Sequence, residues 1–234
     1  KTRKRFTEKD YPLLILLLSV FNFCCSRQPE HSKKDMQENQ ITPVKPLDIA
    51  SIEKITGMKG KENHGQHKIT VAQNDLNFTV DGFKIIPAMG LGSWVAFSPS
   101  PEGAMIIGDI ILTETDLAPF PQEIIRQGLT ISAIYNHFLR NHPAVMYMQI
   151  GGMGKTDPMA QKVKAVFDKV SELRGKNPAS SPADSVENTF DTKKLDAIIE
   201  NKGEMSKGVY KYTIARPDVN LKEHDLPITS FGCF

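Results

Sequence analysis

In SAIYNHFLRNHPAVMYMQIGGMG, residues 132–154, two apolar runs are separated by a short polar connection. Runs of this length, rich in β-branched and aromatic residues, read as strands. A link this short leaves them as neighbours running antiparallel in one sheet. The connection carries His137 and His142, and the glycine cluster GGMG follows the second run.

On the N-terminal side the same pattern continues. GAMIIGDIIL, 103–112, is apolar enough to be a central strand, and SWVAFSP, 93–99, precedes it. HKITVA, 67–72, and LNFTVDGFKII, 76–86, alternate apolar and polar residues, with Asp81-Gly82 as a hairpin turn. Three helices are predicted around these strands. The first starts at an Asp48 N-cap, turns Ile49, Ile52 and Ile55 to one side and ends at Gly57 or Gly60. The second spans TETDLAPFPQEIIRQG, 113–128, disturbed early by Pro119 and Pro121. The third, TDPMAQKVKAVFDKVSEL, 156–173, has Asp157 as N-cap and Pro158 at the first helical position. Val163, Val166, Phe167 and Val170 line one face of it. The order implies an α+β fold, a mainly antiparallel sheet with helices packed on one face.

Leu47 onward, LDIASIEKITGMKGKENHGQHKITVAQNDLNFTVDGFKI, aligns without a gap to Phe190 onward, FDTKKLDAIIENKGEMSKGVYKYTIARPDVNLKEHDLPI, at an offset of 143 residues. Asp48 meets Asp191, Lys59-Gly60 meets Lys202-Gly203, Gly65 meets Gly208, Lys68 meets Lys211 and Ile85 meets Ile228. This register predicts an internal duplication. The second copy reaches Phe234, opposite Leu91, so it is expected to be truncated.

The resulting organisation is a signal segment over 1–25, a polar tether over 26–46, a first repeat over 47–173, a linker over 174–189 and the incomplete repeat over 190–234. Lys1, Arg3, Lys4 and Arg5 precede the apolar YPLLILLLSVFNF, which is too short to span a bilayer comfortably and reads as an export signal. Cys24 and Cys25 end it, and a cysteine there invites acylation; Cys25, with the small Cys24 before it, is the better candidate. The third cysteine, Cys233, leaves no disulfide framework to draw. At 40% hydrophobic and 24% charged residues with a net charge of +2, the composition is globular and gives no electrostatic case for nucleic acid. The expected partners are a membrane, through the lipid anchor, and a protein or small-molecule ligand.

Chemistry concentrates on the histidine connection. Two imidazoles across a short link can reach one divalent metal, which wants three or four ligands, so His137 and His142 are the candidate metal ligands. Tyr135, Asn136 and Gln149 complete a candidate pocket, with Asp109 or Glu114 near enough in the chain to contribute. Tyr135 and His137 share one strand face by period two. Trp94, the only tryptophan, is a candidate wall of the same pocket. His64 and His67 flank Gly65 in a polar loop, KENHGQHK, whose lysines repel a cation. GGMG meets neither dinucleotide nor Walker spacing and reads as a tight strand-to-helix connection; no nucleophile elbow is present, and no catalytic residue is assigned.

In combination, DGFKIIPAMGLGSWVAF, GAMIIGDIIL, YNHFLRNHPAVMYMQIGGMG and the repeated FD…K…YKYTIARPDV resemble the LppY/LpqO lipoprotein family. That family is bacterial, of unknown function and usually two tandem copies long; the resemblance covers Leu47 to Phe234. It implies a secreted or lipid-anchored protein of the cell envelope, on the outer membrane or periplasmic face if the cell is Gram-negative. Its members show His-Asn-His where this chain has Tyr135-Asn136-His137, and a further histidine where Gln149 stands. A metal shell inherited from that pattern would be incomplete here. The leading expectation is therefore an envelope protein with a binding or accessory role and no turnover of its own. The alternatives are a metal-dependent enzyme, of hydrolase type, using His137, and a non-functional remnant of a truncated gene.

Overall fold

The computed structural model describes residues 44–175, 185–214, 216 and 218–228. Helix α1 (Ile49–Thr56) starts where predicted: the Asp48 side chain accepts a hydrogen bond from the Ser51 N–H at 2.9 Å, and Gly57, at φ +72°, closes it. Strands β1 (Gly60–Asn63) and β2 (Gln66–Ala72) follow as a hairpin around His64-Gly65. Next come the small hairpin β3 (Thr79–Val80) and β4 (Phe83–Lys84), closed by Asp81-Gly82 with both φ positive, and a 3-10 turn over Pro87–Met89. The long strands β5 (Gly92–Ser100) and β6 (Gly103–Thr113) lead to α2 (Phe120–Arg126). Then β7 (Thr130–Tyr135), β8 (Asn141–His142) and β9 (Val145–Gly154) precede α3 (Thr156–Arg174).

Six strands form one sheet in the order β1-β2-β5-β6-β9-β7, every pair antiparallel, with β6 and β5 central. The architecture is α+β, as the alternation implied. On one face, Ile69, Val95, Ile106 and Ile150 from the sheet meet Ile52 of α1, Ile124 of α2 and the α3 stripe Val163, Val166, Phe167 and Val170. Each such side chain taken from water contributes about 1.5–3 kcal/mol, which is why the three helices lie on this face. On the opposite face a smaller cluster gathers Phe78, Leu91, Ile111, Val145 and Tyr147 beneath β3, β4 and β8, which form their own three-stranded sheet.

Three expectations need correction. The second helix is about two turns long rather than filling 113–128. Its first part is a run of turns in which Asp116 accepts the Thr113 N–H, and regular helix begins only after Pro119. Helix α3 is capped from Lys155, not Asp157; Asp157 lies in its first turn and accepts from the Ser51 hydroxyl at 2.8 Å, tying α1 to α3. KENHGQHK is a β-hairpin rather than a loop, and its His67 is buried, 1% exposed, in the sheet.

Beyond α3 stand α4 (Thr192–Ile199), the hairpin β10 (Glu204–Ser206) and β11 (Val209–Lys211), and the hairpin β12 (Lys222–Glu223) and β13 (Leu226–Pro227). Their starts fall within one residue of 143 positions after those of α1, β1, β2, β3 and β4. Details recur at the same offset. Asp191 caps α4 through the Lys194 N–H as Asp48 caps α1 through Ser51. Glu53 accepts the Gly60 N–H at 3.1 Å, and Asp196 accepts the Gly203 N–H at 3.2 Å.

Candidate functional site

Strand alternation sends every second side chain of the sheet away from the helices. The register lines up Thr70, Trp94, Asp109, Gln149 and Ala133 across β2, β5, β6, β9 and β7 on that second face. Lys68 stands two residues before Thr70 on β2, and Tyr147 two before Gln149 on β9, so both share the face. A pocket of about 280 Å³ opens there. Its polar lining is Lys68, Thr70, Asp109 and His137, with Lys211 of β11 also contributing. Trp94, Tyr147, Pro87 and Ala88 give it apolar wall, and Gly90 and Gly92 bring backbone close.

Asp109 is the chemical centre. It is 3% exposed, and one oxygen accepts the Tyr135 hydroxyl at 2.5 Å while the other, Oδ1, has no hydrogen-bond partner among the described residues. Burial pushes its carboxyl above the ordinary aspartate value, opposed by the Tyr135 hydrogen bond and by the charges of His137 and Lys68. Tyr135 titrates well above the usual tyrosine range, first through burial and then because its proton is held on Asp109. Tyr147 shifts the same way through burial and the nearby Asp109 charge. The His137 ring lies over Tyr147, centroids 3.9 Å apart, and Tyr135 packs on both at 5.2 and 5.9 Å. The Lys68 ammonium sits 3.8 Å above the Trp94 ring centroid, a cation–π placement that fixes its head beside the pocket.

The expected site residues therefore divide. Tyr135, His137 and Trp94 come together around Asp109. Asn136 instead shapes the turn, its side chain accepting the Phe138 N–H at 3.0 Å and donating to Asn141 at 3.2 Å. His142 is exposed in β8, its carbonyl accepting from the Thr79 hydroxyl at 3.3 Å, and it does not line the pocket. Gln149 stands beside Asp109 in the register without lining the pocket. Among the described residues, no group of three or more His, Cys, Asp or Glu side chains is placed to hold a metal ion. Cys24 and Cys25 lie outside the described residues.

Sequence reasoning missed Lys68, Thr70 and Tyr147 as pocket residues, because only the strand register brings them to one face. The 143-residue offset did couple Lys68 to Lys211, and both line this one pocket.

The family model described as Domain of Unknown Function (DUF1259) matches residues 50–169, about half the chain. The chain belongs to this family. The match runs from α1 into α3, so the DUF1259 domain contains the whole six-stranded sheet and every pocket residue but Lys211. No curated protein and no solved structure matches the chain. Among the described residues, no helix of this DUF1259 protein is long and apolar enough to cross a membrane.

Proposed function

We propose that this protein binds a small ligand in the Asp109 pocket, in a binding or accessory role at the bacterial cell envelope. The observation that carries the binding role is the buried Oδ1 of Asp109, a residue that lines the pocket, with no hydrogen-bond partner among the described residues. A buried polar atom left unsatisfied costs about 1–3 kcal/mol, and a ligand that meets it recovers that cost on binding. The aromatic walls supplied by Trp94 and Tyr147 fit the same role. Protein NMR with a mixed set of charged and neutral single-ring compounds tests it. Saturable shifts clustering on Trp94, Asp109 and His137 are expected, and shifts scattered elsewhere or none at all would sink the reading.

The envelope placement rests on the basic N-terminus, the apolar YPLLILLLSVFNF and Cys24-Cys25, with the resemblance to the LppY/LpqO lipoproteins in support. We infer lipid attachment at Cys25; labelled palmitate should enter the wild-type chain and be lost in Cys25→Ser, and no labelling of the wild type removes the anchor. The shared offset of caps, hairpins and carboxylate contacts supports a second inference, that 190–228 is a repeat of 47–85.

A further inference from the structure

We propose that the Asp109 pocket takes a small organic anion, its oxyanion head held between Lys68 and Lys211 and its planar body against Trp94 and Tyr147. The inference rests on the small-ligand reading above and names the ligand class. Two lysines that occupy the same position in the two aligned segments line one pocket. Among the described residues that line the pocket they outnumber Asp109, its one carboxylate, and work against a cationic ligand. At about 280 Å³ the pocket stands at the small end of ligand sites, which suits a single ring with one charged group.

Asp109 agrees with an anion rather than opposing it. Its elevated carboxyl pKa favours the protonated form, and Tyr135 already donates to Oδ2. Burial disfavours the ionised carboxylate and so lessens its repulsion of an anionic ligand. The groups around it are Lys68 on β2, Tyr135 on β7, His137 on the following turn, and Tyr147 and Gln149 on β9. None of these is a second carboxylate. Trp94 serves as a reporter, since it is the chain's sole tryptophan and lies in the wall.

The test titrates the full chain with benzoate, phenyl phosphate and uncharged benzamide, following Trp94 fluorescence. Saturable binding of an anion with little response to benzamide is expected, and the stronger of the two anions identifies a carboxylate or a phosphate head. Lys211→Met and Lys68→Met should each weaken that binding about tenfold or more, with Lys211→Arg restoring it and far-UV circular dichroism unchanged. Equal binding of benzamide, or anion binding indifferent to both lysine changes, overturns the anion assignment and leaves the small-ligand reading standing. Silence from all three probes overturns the anion assignment; the mixed-compound NMR set then decides separately whether the small-ligand reading falls with it.

Discussion

Asp109 carries an energetic cost that depends on pH. In the unfolded chain it titrates at the ordinary aspartate value, and in the fold burial moves it higher. Between those two values the folded protein holds a proton that the unfolded chain has released. The stabilising contribution of the protonated form is therefore complete below the ordinary value and is lost as pH rises through the folded value. Asp109→Asn keeps an acceptor for the Tyr135 hydroxyl and removes the titration. Urea midpoints measured from about pH 4 to about pH 8 should fall less steeply in Asp109→Asn than in the wild type. Parallel curves would mean that Asp109 titrates alike in both states. His67 has the opposite sign: burial lowers its pKa, so the neutral ring's contribution is present at high pH and lost as pH falls through the folded value. Glu53, Glu62 and Lys59 are the charges that act on it.

The first hairpin shows why polar segments mislead a reading by pattern. In GKENHGQHK, 60–68, β1 presents three exposed residues and the half-buried Gly60, so no apolar alternation marks it as a strand. What forces the strand is packing: Gly60 lies over the His67 ring, with no room for a side chain between them. A Cβ there would meet Nε2 of His67 at 2.6 Å and the Lys68 carbonyl at 2.8 Å. Gly60→Ala should cost about 1–3 kcal/mol, read from denaturant unfolding, and His67→Ala in the same chain should recover part of it. A neutral Gly60→Ala would show that the hairpin tolerates a shift of β1. The helices and long strands were legible because burial marked them, with four apolar residues on one stripe of α3 and a nearly continuous apolar run along β6. The site was legible only in part. Tyr135 and His137 are neighbours along the chain, whereas Asp109, Trp94, Lys68 and Tyr147 meet through a register that no local pattern specifies.

Across the whole molecule, Arg174 at the end of α3 joins the helical layer to β6 and to the loops that follow β2 and β6. Its guanidinium is buried, 5% exposed, and donates to the Ile111 carbonyl at 2.6 Å, to the Gln73 side chain and to Asp116 at 3.4 Å, with Asp75 at 3.7 Å. Removing one partner from a buried charge cluster leaves the others uncompensated and costs about 3–5 kcal/mol. Arg174→Met should lower the thermal midpoint accordingly while far-UV dichroism at low temperature stays native; an unchanged midpoint would show that the cluster contributes nothing net. The fold then has one stiff layer of three helices clamped to the sheet, and a second face relieved of that duty.

That division has a consequence for how such a domain changes over generations. The side chains that hold the helices, Ile69 and Val95, alternate along the same strands with the side chains that line the pocket, Lys68, Thr70 and Trp94. A substitution at one set points away from the other, so the pocket's chemistry can drift to a new ligand while the helical layer stays under its own selection.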